Sequence, residues 1–141
     1  MSSPRYFRSE RPEDNLDIAR RMLRACGDSR AFALSGDLGA GKTELVRSFC
    51  QALGVRDPVS SPSYSLIHEY RSPEGPVYHL DLYRLRDEAE ALEAGAWECV
   101  DSGYFCFIEW PERLPELIPG DAARIHISIG QDGNRTLELS C

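Results

Sequence analysis

Eight consecutive residues, Gly36-Asp37-Leu38-Gly39-Ala40-Gly41-Lys42-Thr43, have the types and the spacing needed to hold a nucleotide's phosphates. The pattern G-x-x-x-x-G-K-[ST] has a reason at each fixed position. Glycines at 36, 39 and 41 permit backbone angles that turn successive N–H groups toward one phosphate, and a helix starting near Lys42 adds the partial positive charge of its N-terminus. Lys42 reaches the β and γ oxygens, and the Thr43 hydroxyl is placed to ligate Mg²⁺. Glu44 comes next. It suits the helix dipole but repels a bound α-phosphate, which is a cost to affinity and not a catalytic role.

A Mg²⁺·nucleotide site also needs a carboxylate at a neighbouring strand end, and hydrolysis needs a group that orients water. Glu109 ends the apolar run Phe105-Cys106-Phe107-Ile108, so it emerges at the carboxyl edge of a central strand, where open α/β sheets bind ligands. The plainer alternative is an acid that caps a helix opening at Pro111. Asp81 stands in an alternating stretch with Tyr78, Leu80 and Leu82 on one face and His79, Asp81 and Tyr83 on the other. Asp is depleted in strands; metal binding, direct or through water, and a salt bridge to Arg84 or Arg86 account for it equally well. His79 reads as a packed, hydrogen-bonded imidazole, and Trp110 as core or site wall. On composition alone, Ser60-Ser61-Pro62-Ser63-Tyr64-Ser65 is an ordinary loop leading into a strand.

The elements that must position these residues follow from periodicity. Leu16, Ile18, Ala19, Met22, Leu23 and Cys26 recur at helical spacing after Pro12-Glu13-Asp14-Asn15, which supplies a cap and first-turn acids. Ala31-Phe32-Ala33-Leu34 is a short buried strand running into the glycine loop, and Lys42 to Leu53 is the helix leaving it, ended by Gly54. A strand finishing near Tyr70, the turn Ser72-Pro73-Glu74-Gly75-Pro76 and the stretch Tyr78 to Tyr83 predict a hairpin. Asp87 to Glu93 is helical, and Ile125 to Ile129 with Thr136 to Leu139 predicts a closing hairpin around Gly130 to Asn134. The expected fold class is α/β: a P-loop NTPase-like three-layer fold, mainly parallel with antiparallel hairpin additions, as one domain over residues 1–141.

Composition narrows the partners. With 141 residues and 42% apolar side chains the chain has enough material for one packed core, and a formal charge of -7 opposes a surface that grips nucleic-acid phosphates directly. Any contact with RNA is expected to be indirect. The start, Met1-Ser2-Ser3-Pro4-Arg5-Tyr6-Phe7, has no apolar secretion segment and no run is long enough to span a bilayer, so the expected location is cytoplasmic, away from membranes. Five cysteines, at 26, 50, 99, 106 and 141, form no C-x-x-C pair and are expected to be reduced, partly buried thiols.

Four blocks then occur in order and at fitting spacings: the glycine loop, Ser61-Pro62-Ser63-Tyr64-Ser65-Leu66, Tyr78-His79-Leu80-Asp81-Leu82-Tyr83-Arg84-Leu85, and Ile108-Glu109-Trp110-Pro111-Glu112-Arg113. Together they resemble the bacterial TsaE family over nearly the whole chain, from about Asn15 to Leu139. The resemblance implies an ATPase, with ATP and Mg²⁺ bound, that supports the threonylcarbamoyladenosine modification beside the anticodon of tRNAs. It implies the TsaB and TsaD proteins as partners, with ATP hydrolysis resetting their complex between turnovers. By the same resemblance Thr43 and Glu109 bind Mg²⁺, Asp81 assists metal binding or hydrolysis, and Lys42 serves the reacting phosphates. Ser63 and Ser65 belong to a switch-like loop, Trp110 lies near the site, and Arg135 in the closing hairpin approaches the nucleotide. The chain departs from the family pattern at Glu44, where a second threonine is usual, and at Ser63 and Ser65, which keep the hydroxyl of the usual threonines. Two other functions share the glycine loop: a small-molecule kinase, which needs an acceptor pocket and a water-excluding lid, and a nucleotide-gated binding module with incidental hydrolysis.

Overall fold

Strands β1 (Arg5–Ser9), β2 (Ala31–Gly36), β3 (Ile67–Ser72), β4 (Gly75–Asp81), β5 (Cys106–Glu109), β6 (Ala123–Ile129) and β7 (Arg135–Ser140) form one sheet in the order β1-β7-β6-β2-β5-β4-β3. The structure is a computed structural model and describes residues 3–59 and 65–141. The four central strands, β6, β2, β5 and β4, are mutually parallel, and the antiparallel pairs β3–β4, β6–β7 and β1–β7 lie outside them. This is the expected α/β sheet, parallel at its core with hairpins added at both edges.

Helices cover both faces over β2 and β5, which is why those two strands are buried almost without a break, whereas β6 alternates, with Arg124 and His126 exposed. Along β2, Phe32 and Leu34 enter a core with Met22, Phe49 and Phe107, while Ala31 and Ala33 enter a second core with Leu80, Ile108 and Leu117. The first core lies under α1 (Asp14–Ala25) and α2 (Lys42–Ala52), and the second under α3 (Glu88–Ala94), α4 (Ala96–Val100) and the turn Pro115–Leu117. Sheet and helices thus make three layers. At the centre of the first core the rings of Phe32, Phe49 and Phe107 stand 4.8 to 5.4 Å apart.

Several elements differ from the sequence reading. Strand β1 was not anticipated; it pairs with β7, burying Phe7 and Ser9 while its other positions stay exposed. Helix α4 is five residues long, too short for a periodicity to register. Pro111 opens a single 3₁₀ turn, Pro111–Arg113, and not an α-helix. At the start of α1 no side chain caps the helix from Glu13; Asp14 instead accepts from the amides of Glu10 and Arg11, tying down the incoming loop. The expectation of five reduced thiols is corrected. Cys26, just past α1, and Cys141, just past β7, form a disulfide across 5.6 Å between Cα atoms, leaving Cys50, Cys99 and Cys106 as buried free thiols. Spacing along the chain does not reveal that the two ends meet. Among the described residues no helix is long and apolar enough to cross a membrane.

Because Phe49 is fully buried against two other rings, Phe49→Ala should cost about 3–5 kcal/mol of stability. Urea unfolding checks this: the midpoint falls steeply at an unchanged slope, whereas a midpoint within experimental error of the parent contradicts the packing described.

Candidate functional site

Three adjacent parallel strands end side by side, and each delivers one part of the site. From β2 the chain passes into the glycine loop and then into α2. Next to it β5 ends in Glu109, in register with Leu34 of β2 on one side and with Asp81 of β4 on the other. The cleft at this carboxyl edge has a volume of about 880 Å³ and is lined by Lys42, Thr43, Asp81, Glu109 and Trp110, among others. Ligands bind at such edges because the strand ends leave room there and the helix N-termini point into it.

Gly36, Gly39 and Gly41 all have positive φ angles of 148°, 83° and 110°. A Cβ on Gly36 would stand 2.6 Å from the Ile127 carbonyl oxygen, and one on Gly41 would meet the side chains of Arg135 and Glu44. Both positions therefore need glycine. The first amides of α2 have no acceptor one turn back within the helix, so the loop and helix start offer donors to an anion.

Lys42 is buried at the mouth of this loop. Its Nζ donates to the carbonyls of Gly36 at 2.5 Å and Asp37 at 3.0 Å and lies 3.9 Å from the centre of the Trp110 ring. Desolvation pushes the amine below the ordinary lysine value, with Glu109, Glu112, Asp81 and Asp37 acting in the opposite sense. Trp110 gets its ring there through an uncommon backbone: at φ 60° it is the only non-glycine with positive φ among the described residues. That conformation costs on the order of 1–3 kcal/mol, and the contact with a desolvated cation helps to offset it.

Glu109 is the hub. It is 3% exposed, and the Thr43 hydroxyl sits 2.9 and 3.1 Å from its two carboxylate oxygens. His79 Nε2 lies 2.6 Å from Oε2. Among the described residues the buried polar side chains are Ser9, Asn15, Lys42, His79 and Glu109; Ser9 and Asn15 bond each other at 2.7 Å, and the other three converge here. A buried polar group needs partners: His79 and Glu109 bond each other, and Lys42 bonds the loop carbonyls.

The sequence-selected residues fall out as follows. Gly36, Asp37, Leu38, Gly39, Ala40, Gly41, Lys42, Thr43, Asp81 and Glu109 come together at one edge. Asp81 accepts from the Tyr83 amide at 3.0 Å, while Arg86 pairs with Glu90 at 3.5 Å. Arg135, at the start of β7, reaches the glycine loop and donates from Nε to the Ala40 carbonyl at 2.6 Å. Ser63 lies outside the described residues; Ser65 lines the cleft. His79 is the packed, hydrogen-bonded imidazole that the sequence suggested; what sequence reasoning missed is its partner, Glu109. The alternation of His79 with Asp81 placed it on the right face, but nothing local showed that β4 lies beside β5.

The donor set suits a hard cation: one hydroxyl, from the start of α2, and two carboxylates at adjacent strand ends. Among the described residues no cluster of three or more His, Cys, Asp or Glu could hold a metal by itself. A cation there would draw further ligands from phosphate oxygens and water, the usual habit of Mg²⁺.

Replacing Gly36 with Ala should lower stability by on the order of 2 kcal/mol, since Cβ collides with backbone at a strained φ. An unchanged urea midpoint for Gly36→Ala would contradict the close approach to Ile127.

Comparison with known proteins identifies a family. A family model described as "Threonylcarbamoyl adenosine biosynthesis protein TsaE" matches residues 9–137. The tRNA threonylcarbamoyladenosine biosynthesis protein TsaE of Bacillus subtilis is 34% identical over 134 residues, covering 95% of this chain and 84% of that protein. That of Rickettsia bellii is 30% identical, covering 99% and 96%, and that of Haemophilus influenzae 39% identical, covering 75% and 66%. A solved structure titled "Crystal structure of Bacillus subtilus YdiB" superposes with a TM-score of 0.77 at 29% identity, covering 99% of this chain and 86% of that one. The chain belongs to the TsaE family.

Proposed function

We propose that this chain is a Mg²⁺-dependent ATPase that supports formation of threonylcarbamoyladenosine in tRNA, at the position next to the anticodon, by binding and resetting the TsaB–TsaD complex. The carrying observation is the Thr43–Glu109 contact, which joins the end of the glycine loop to the end of the neighbouring strand. The curated relatives are named for this biosynthesis, which supplies the pathway. The net charge of -7 favours protein partners over direct tRNA contact, and a cytoplasmic location goes with that role.

In this reading the loop amides and the start of α2 receive the phosphates, and Lys42 turns from the Gly36 and Asp37 carbonyls to the β and γ oxygens. Thr43, with Glu109 and Asp81, holds Mg²⁺ directly or through its waters. The ion, when bound, neutralises charge on the transferring phosphoryl group. Glu109 or Asp81 orients the attacking water, and Ser63 and Arg135 approach the nucleotide from two sides. Turnover by the chain alone is weak, because Lys42 is held by two carbonyls and the Trp110 ring and must leave them to act. Binding to TsaB–TsaD is expected to favour that release.

Removing the Lys42 amine deletes charge-assisted contacts worth about 1.5–3 kcal/mol, so Lys42→Ala should weaken Mg·ATP binding by roughly 10- to 100-fold in calorimetric titration. Retention of parental affinity contradicts the site. Adding TsaB and TsaD should raise phosphate release, and Glu109→Gln, which keeps an acceptor for His79, should abolish the rise. Complex formation that needs ATP but does not change turnover supports the binding-module alternative, and transfer to an acceptor without free phosphate supports a kinase.

A further inference from the structure

Behind Glu109 runs a line of polar groups that the proposed reaction does not itself use. His79 is fully buried, and its two ring nitrogens face different partners: Nε2 lies 2.6 Å from Glu109 Oε2 and Nδ1 3.2 Å from the Tyr70 hydroxyl. Tyr70 is buried as well, and its hydroxyl is 3.3 Å from His68 Nδ1. His68, Tyr70 and His79 come from paired strands: His68 is opposite His79 in the β3–β4 register, and Tyr70 is two positions further along β3. The row therefore depends on the hairpin being in this register, because a slip by one residue sends Tyr70 to the other face.

We infer that His79 is a positioning residue for Glu109, and that Tyr70 holds the His79 ring in the orientation that lets it do so. An ionised carboxylate only accepts hydrogen bonds, so the ring nitrogen against Glu109 carries the proton. In the neutral ring with Nε2 as donor, Nδ1 accepts from the Tyr70 hydroxyl, and His68 Nδ1 donates to the tyrosine oxygen. Each bond in the row then has one donor and one acceptor. Burial pushes the His68 imidazole below its ordinary value.

The consequence for metal binding is geometric. A carboxylate bonded only to Thr43 is free to rotate about its last side-chain torsion, which is broad for Glu. His79 restricts that torsion by holding Oε2, so that the carboxylate meets the Thr43 hydroxyl, which contacts both of its oxygens, from a preset position. Groups that orient a metal-ligating side chain in this way typically contribute 10- to 100-fold in metal affinity.

This inference rests on the Mg²⁺·nucleotide reading above, and the experiment separates the two. Leu, Gln and the parental His are compared at position 79, with Tyr70→Phe as a fourth protein, each checked for a parental circular-dichroism spectrum. Calorimetry measures ATP binding as a function of Mg²⁺. His79→Leu, which has no donor, should need roughly tenfold or more Mg²⁺ for half-maximal binding. His79→Gln, whose amide nitrogen can stand near the place of Nε2, should recover most of the loss, and Tyr70→Phe should show a smaller rise. Independently of nucleotide and metal, ¹⁵N spectra of histidine-labelled parent should show Nε2 of His79 protonated and Nδ1 bare, with Tyr70→Phe shifting the Nδ1 resonance as it loses its hydrogen-bond donor. A parental Mg²⁺ requirement in His79→Leu, no recovery with Gln, or a bare Nε2 overturns the inference. A parent that binds no Mg·ATP overturns the nucleotide reading itself, even where the ¹⁵N spectra are as expected.

Discussion

A carboxylate buried to 3% exposure at the end of a central strand has to be satisfied on the spot, and most of the site's architecture follows from satisfying Glu109. Leaving such a group unpaired costs far more than the net gain of an ordinary hydrogen bond, so its partners are fixed by necessity. Thr43 supplies one contact, which ties the first turn of α2 to the end of β5. His79 supplies another, which ties β4 to the same point. The first turn of α2, the end of β5 and β4 are held together by one acidic side chain.

Local strain gathers around that lock. Trp110 follows Glu109 directly and takes up a left-handed backbone that L residues avoid, and its ring then lies against the Lys42 ammonium. Gly36 and Gly41 admit neighbours that a side chain would displace, the Ile127 carbonyl in one case and Arg135 with Glu44 in the other. Glu44 and Arg135 thus both lie against Gly41 in the glycine loop. Such features are expected where function overrides local preference, and the well-packed cores on both faces of the sheet supply the stability that tolerates them.

How much of this was legible in the sequence depended on the range of the interactions. The glycine loop and its flanking strand and helix could be read because their pattern is local, and Glu109 because an apolar run ends abruptly in an acid. The sheet class followed from alternating elements. Strand order did not, and with it went the partners of His79 and Tyr70, which meet only because β3 pairs with β4 and β4 with β5. Arg135 was selected only through the family resemblance; its approach to Ala40 depends on where β7 starts relative to the loop. The Cys26–Cys141 disulfide is the extreme case, joining residues 115 positions apart whose proximity no local signal carries.

The central claim, that the glycine loop with Thr43 and Glu109 forms a Mg²⁺-dependent nucleotide site, is most directly tested by calorimetric titration of the parent chain with ATP, GTP and ADP. The titrations are run with TsaB and TsaD present, once in Mg²⁺ and once in excess chelator. The account predicts saturable ATP binding, preferred over GTP, that is lost in chelator. Absence of binding in Mg²⁺, or equal binding with and without the metal, would contradict it.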